Sequence, residues 1–219
     1  MSTALIDANQ DLSVARLLQS LGGVPAERVL IHPAPGTATE DDVLWFEARA
    51  SKRLCELIDG TLVEKAMGVA ESIFARHVGT KLDSFVVPNN LGFVATSDCL
   101  VRMVTGRIRI PDVAFFPWDR LPNRAWPTEP IAGLAPTLAV EVLSQSNTDD
   151  EMRMKRQDYF ATGVELAWEI DLKKRRVRVY TSVDAFNELT GTGTLDGGTV
   201  LPGFVLPLVQ LFGELDRHG

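Results

Sequence analysis

Apolar positions along the chain change their spacing twice, and those changes outline the fold. Leu54 to Ile58 and Thr61 to Lys65 are short apolar-rich runs joined by Asp59-Gly60, a dipeptide suited to a two-residue hairpin turn. From Val69 to Val86 the apolar residues Ile73, Phe74, Val78, Leu82, Phe85 and Val86 recur every three or four positions, which predicts an amphipathic helix. After a turn at Asn89 to Gly92, strands are predicted over 93–96, 100–104 and 108–116. The Pro-, Trp- and Arg-rich segment 117–136 reads as a surface loop long enough to carry function. Beyond it come a strand over 138–143, a helix over about 149–162, and strands over 165–170 and 176–180. The apolar, proline-broken end LPGFVLPLVQLF should close the body.

Helix starts are marked by polar residues. Thr148 with Glu151 forms a capping box, and Asp149 and Asp150 suit the positive end of the helix dipole. Thr39 with Asp42 marks a similar start before Val43, Leu44 and Phe46. Upstream, Leu12 to Leu21 reads as a short helix followed by a Pro/Gly/Thr-rich linker. The chain therefore divides into an N-terminal helical extension and linker, 1–38, and one domain, 39–219. Its order of helix, strands, helix and strands predicts an α/β (α+β) architecture with a central mixed sheet flanked by helices.

Two acids break this pattern. In LAVEVLS, Glu141 shares one strand face with Ala139 and Leu143 while Leu138, Val140 and Val142 line the other. Both faces are apolar apart from the glutamate, so the strand should be buried on both sides. A carboxylate there must be paired with a cation or perform chemistry. Asp112 interrupts the apolar run IRIPDVAFF in the same way, and one loop separates the two strands, so they are expected to be sheet neighbours. Two adjacent carboxylates need positive charge between them, and a divalent metal is an economical source.

Composition narrows the chemistry. The net charge of −7 argues against a general nucleic-acid coat, but residues 102–178 carry 13 Lys and Arg against 11 Asp and Glu. The acidic excess lies outside the segment holding Asp112 and Glu141, so a polyanionic substrate is permitted. No apolar run approaches the length of a membrane span, and Met1 to Gln10 do not form a charged-then-apolar leader, which makes the cytoplasm the expected compartment. Two cysteines and three histidines without metal-ligand spacing make a zinc site an unattractive reading. There is no dinucleotide fingerprint, P-loop or nucleophile elbow.

Lys155, one helical turn after Glu151, is either half of a solvent-exposed ion pair or a cation that reaches the acids. At this point the runs CELIDGTLVEKAMG, RIPDVAFF, LAVEVLSQSNTDDEMRMKRQDYFATGV and TLDGGTVLPGFVLPL together resemble the Uma-type restriction endonuclease family of bacteria. That family was once catalogued as a domain of unknown function and is placed in the PD-(D/E)xK nuclease superfamily. The resemblance runs from about Thr39 to near the end, and GGVPAERV and PAPGTATEDD resemble one branch of the family.

It implies a restriction-endonuclease-like core, a Mg²⁺ or Mn²⁺ cofactor and DNA as substrate. It also implies Asp112 and Glu141 as metal-binding acids, Glu56 as an additional acid near the metal, and Lys155 as the lysine that orients water or steadies charge at phosphorus. Leu143 stands two residues after Glu141, where the superfamily's plain pattern has lysine, and Lys155 on the following helix takes that role. Gln145 replaces a usual proline, and Glu169 replaces a usual aliphatic residue and adds an acid to its strand. Cutting both strands commonly needs two sites, which points to a homodimer.

Two rivals stand beside the nuclease: an inactive member of the fold that binds nucleic acid or protein, and a glycosidase-like use of Asp112 and Glu141 as acid and base. Convergence of Asp112, Glu141 and Lys155 within reach of one ion would support the nuclease, and a Lys155 pointing to solvent would remove it. Other candidates have plain structural readings. His77 on the long helix reads as a half-buried imidazole, Lys173 to Arg176 as a solvated turn, and Trp118 and Trp126 as loop anchors. The basic run, with Arg102, Arg107 and Arg109, could equally hold phosphates.

Overall fold

The structure, a computed structural model, describes residues 13–49, 53–96 and 98–216. The expected helix start at Leu12 and the segment Met1 to Gln10 lie outside them. Three short helical elements open the chain: α1 (Val14–Ser20), a 3₁₀ turn (Ala26–Arg28) and α2 (Glu40–Glu47). At α2 the Asp42 carboxylate accepts the Thr39 N–H at 2.8 Å, as the expected capping box requires. The hairpin β1 (Cys55–Ile58) and β2 (Thr61–Glu64) follows, with Asp59 and Gly60 at φ 48° and 72°, the positive values its tight turn requires. Then come α3 (Val69–Val86), β3 (Gly92–Thr96), β4 (Val101–Arg102), β5 (Ile108–Arg109), β6 (Val113–Pro117) and β7 (Leu138–Val142). The chain ends with α4 (Asp149–Thr162), β8 (Leu166–Asp171), β9 (Arg176–Tyr180), β10 (Phe186–Thr190), β11 (Thr194–Gly197), β12 (Leu201–Pro207) and α5 (Leu208–Phe212).

Six strands form the central mixed sheet, in the order β10-β9-β8-β7-β6-β3. Strands β7 and β8 are parallel and connected by α4, while the other neighbouring pairs are antiparallel. The face predicted for Leu138, Val140 and Val142 packs against Phe74, Val78 and Leu82 of α3 and against the β11–β12 hairpin and α5. On the opposite face Ala139 joins Ala114, Phe116 and Tyr159 of α4. Glu141 lies on this second face, so α4 covers it.

A four-stranded sheet, β2-β1-β5-β4, stands beside the central one. The single strand predicted over 108–116 is in fact two: β5 belongs to the small sheet and β6 to the central one. Ile110-Pro111-Asp112 make the crossover. Pro111 has no N–H to give a ladder, so the chain can leave one sheet and enter the other there. The crossover puts Asp112 at the seam between the sheets. Residues 117–136 contain two 3₁₀ turns, and Trp126 stacks on Phe93 at 4.7 Å between ring centres, which anchors the loop. The predicted closing segment, 201–212, is β12 and α5. Among the described residues no helix is long and apolar enough to cross a membrane.

Candidate active site

The site lies at the seam, with contributions from both sheets and α4. Asp112 enters it because β6 begins one residue later. Its own N–H donates to the Val140 carbonyl at 3.0 Å, and its Oδ2 accepts the Val142 N–H at 2.7 Å. With the preceding chain diverted to the small sheet, the side chain takes the place of a backbone acceptor in the ladder. Glu141 sits beside it on β7, one residue before that N–H, and both acids are buried.

Lys155 points inward. Thr148 caps α4 by accepting the Glu151 N–H at 3.0 Å, and Gly163 ends the helix at φ 101°, where a left-handed residue is needed. Between these caps Lys155 and Tyr159 occupy the face turned to the sheet. The Lys155 Nζ lies 3.1 Å from Glu141 Oε2 and 3.1 Å from Glu56 Oε1, and only 3% of its side chain is exposed. The Tyr159 hydroxyl donates to the other oxygen of Glu141. The solvent-exposed Glu151–Lys155 pair does not form: Glu151 turns to Arg28, whose Nη2 reaches it at 2.7 Å.

Glu56 comes from β1, where alternation gave no decisive face because all four residues are buried. Its carboxylate accepts the Ile110 N–H at 3.2 Å and Arg109 Nη1 at 2.8 Å in addition to Lys155. Arg109, named from sequence as a possible phosphate contact, is fully enclosed. Its Nε reaches Asp158 of α4 at 2.7 Å. Arg107 pairs with Asp59 at 2.7 Å and Asp158 at 3.2 Å, and Arg102 pairs with Glu40 at 2.7 Å. Arg107 and Arg109 thus tie the small sheet to α4.

Sequence reading missed Lys65. It follows β2, and its ammonium lies 2.8 Å from Asp112 Oδ1, with 2% and 3% of the two side chains exposed. The signal was a lysine closing an otherwise apolar strand, which ordinarily points to solvent.

The charges settle unequally. Burial opposes ionisation of Glu56, but the Lys155 and Arg109 cations more than offset it and hold the carboxyl at about 2. For Glu141 burial prevails over Lys155, Asp112 adds repulsion, and the carboxyl is pushed up to about 7. Burial also works against the Lys155 ammonium, yet Glu141 and Glu56 outweigh it and keep the lysine charged. Burial and the Glu141 charge raise the Tyr159 hydroxyl well above its usual value, so it remains a donor.

Donor chemistry at Asp112 and Glu141 suits a hard divalent cation, which prefers carboxylate oxygen. Asp112 Oδ1 is buried and makes no hydrogen bond, although Lys65 balances its charge. Glu56 is brought to Lys155 rather than to the same point as the other two acids. Among the described residues no three His, Cys, Asp or Glu side chains converge to hold a metal.

The remaining candidates lie elsewhere. His77 on α3 is across the sheet, its Nδ1 3.8 Å from Glu214. Glu169 neighbours Glu141 in register and pairs with Arg156, whose guanidinium lies 4.2 Å above the Tyr180 ring. The Lys173–Arg176 turn joins β8 to β9, with Arg176 2.8 Å from Glu188. A cleft of about 400 Å³ opens at the ends of β7 and β8, between Ser144, Gln145 and Asn147 on one side and Lys173, Lys174 and Arg176 on the other.

Comparison with known proteins identifies the family. Residues 41–210 match the Uma2 family, described as "Putative restriction endonuclease". A crystal structure from Anabaena variabilis, titled as that of a "putative nuclease belonging to DUF820", superposes with a TM-score of 0.68 at 18% identity, covering 78% of this chain and 96% of that one. At that identity the likeness shows the fold. No curated protein matches the chain. A match over most of the length, on the mixed sheet that carries Asp112 and Glu141, establishes the relationship: the chain belongs to the Uma2 family.

Proposed function

We propose that the protein is a Mg²⁺- or Mn²⁺-dependent endonuclease that hydrolyses DNA phosphodiester bonds. One observation carries the reading: Lys155, from a helix, meets Glu141 at 3.1 Å on the strand next to Asp112. A lysine turned to solvent would have removed it. Asp112 and Glu141 are the residues that would hold the ion. The chemistry such an ion supplies when bound is a water activated for attack and positive charge on the phosphoryl oxygens.

The chain's own residues supply the remainder. The charged Lys155 ammonium adds a fixed cation where negative charge would build at phosphorus. Glu56, itself locked by Arg109 and the Ile110 N–H, holds Lys155 in place. Tyr159 fixes the rotamer of Glu141. The cleft at the ends of β7 and β8 supplies an approach, with Leu143 two residues beyond Glu141 and Met152 one turn before Lys155 on its lining. Its Lys173, Lys174 and Arg176 wall is where backbone phosphates would lie. Cutting both strands would use two copies of the chain.

Plasmid nicking in Mn²⁺ or Mg²⁺ tests the proposal. Wild type should nick supercoiled DNA, and Glu141→Ala and Lys155→Ala should each lose at least about 100-fold, the scale of removing one charge-stabilising group. Equal activity in all three would mean a contaminating nuclease. A second reading, a non-enzymatic nucleic-acid- or protein-binding module, is favoured by the near-complete burial of the acids and their pairing with Lys65, Lys155 and Arg109. DNA retention without nicking would select it.

Acidity supplies a separate check. Glu141 must lose its proton before it can hold a cation, and burial pushes that loss up to about 7. At subsaturating Mn²⁺ the nicking rate should climb between about pH 6 and about pH 8 and then level off. A flat profile would exclude Glu141 from the ionisation that governs the rate.

A further inference from the structure

We propose that Lys65 is the resident counter-ion of the site, the cation that a divalent metal must displace from Asp112. This rests on the reading of Asp112 and Glu141 as the metal-holding acids. The backbone fixes the starting point of the lysine. Its N–H donates to the Leu54 carbonyl at 2.8 Å, which extends the β1–β2 pairing by one residue. The stem then leaves the small sheet, crosses the seam and ends 2.8 Å from Asp112 Oδ1 on the central sheet side.

The four oxygens of the two acids are not equivalent. Asp112 Oδ2 is held by the Val142 N–H, Glu141 Oε1 by the Tyr159 hydroxyl and Glu141 Oε2 by Lys155. Asp112 Oδ1 alone of the four has no hydrogen bond, and its contact with Lys65 is charge against charge. An incoming cation would meet least directed resistance there.

Lys155 spans Glu56 and Glu141 and is anchored from both sides. Lys65 balances Asp112, and its ammonium is a compact charge on a flexible four-carbon stem, which permits it to withdraw. While it remains close, its field opposes a second cation. Buried as it is, that opposition is little screened by salt. Lys65 therefore neutralises Asp112 without metal and sets how much metal is needed to load the site.

The test is Mn²⁺ binding to the full chain, measured by calorimetry and by the rise in melting temperature, with no DNA present. Lys65→Met and Lys65→Gln should bind Mn²⁺ about tenfold more tightly than wild type, and Lys65→Arg should stay near wild type. Asp112→Asn should abolish binding at the site. Should the Met variant fail to fold without metal, the Gln variant keeps an amide that can donate to Asp112, and the comparison is made on it. Unchanged or weaker binding in the neutral variants, with Asp112→Asn still abolishing it, would overturn the role of Lys65 and leave the metal-holding acids intact. Binding that Asp112→Asn does not diminish, or absent from every protein, would overturn both readings.

Discussion

Arg109→Met should destabilise the fold by ~3–5 kcal/mol, the cost typical of removing one partner from a buried ion cluster. That is a large share of the ~5–15 kcal/mol that holds a domain folded. Arg109 is fully enclosed and spans Glu56 at 2.8 Å and Asp158 at 2.7 Å. Methionine matches much of its length but carries no charge, so both carboxylates lose a partner while remaining away from water. Lys155 and the Ile110 N–H still reach Glu56, and Arg107 still reaches Asp158, which limits the loss. The pH dependence gives a sharper signature. Glu56 is depressed in the folded state to about 2, so its contribution is present above its ordinary 4.5 and disappears as pH falls from there through about 2. Without Arg109 the folded carboxyl moves upward, so the deficit relative to wild type should shrink as the medium is acidified through that window. Urea melts of both proteins at neutral and acidic pH would show it. A loss below about 1 kcal/mol at neutral pH would mean the seam is solvated and its arginines are dispensable.

Much of this site could be read from local sequence, for identifiable reasons. Period-two alternation is geometric, so placing Glu141 with Ala139 and opposite Leu138, Val140 and Val142 needed no knowledge of the partners, and the packing agrees. Asp59-Gly60 and the ends of α4 were likewise determined by local chemistry. What escaped depends on contacts distant in the chain. The run 108–116 looks like one strand because both halves are apolar, and only the second sheet reveals that it changes partners at Pro111. Arg109 lies inside that run and reads, with Arg102 and Arg107, as a strand arginine that could hold phosphates. Its partners Glu56 and Asp158 are 53 and 49 residues away. Lys65 escaped for the same reason, since its partner Asp112 belongs to the other sheet. Lys155 carried two readings: a helical i,i+4 neighbour offered a sufficient local explanation, reach to the strand acids was the alternative, and its contact with Glu56 became visible only when β1 and β7 were brought together. The N-terminal segment acts in that balance, because Arg28 engages Glu151 and removes the local alternative for Lys155.

Glu141→Gln should separate activity from stability most cleanly. Glutamine has the shape of the protonated acid, and its one carbonyl oxygen can accept from Lys155 while its NH2 donates to the Tyr159 oxygen, but it is a poor ligand for a hard divalent cation and carries no charge. Nicking should fall by roughly 10²–10³-fold or more, the scale of losing a preorganised electrostatic group. Folding stability should move the other way. The Glu141 carboxyl is raised in the folded state from its ordinary 4.5 to about 7, so the fold holds this proton more tightly than the unfolded chain does. That contribution is complete below 4.5 and is lost progressively as pH rises through about 7, at a cost on the order of a few kcal/mol. Glutamine has no proton to lose. Relative to wild type, the variant should therefore gain stability between pH 4.5 and about 7 and hold the gain above that. Part of the gain is offset because Lys155 loses the Glu141 charge, although Glu56 remains 3.1 Å from its ammonium. Chemical denaturation across that range, paired with nicking assays on the same preparations, measures both effects. A stable variant that cuts as fast as wild type would remove Glu141 from the chemistry. An inactive variant that is also markedly less stable at pH 8 would mean that the Lys155 pair outweighs burial and that Glu141 is ionised throughout.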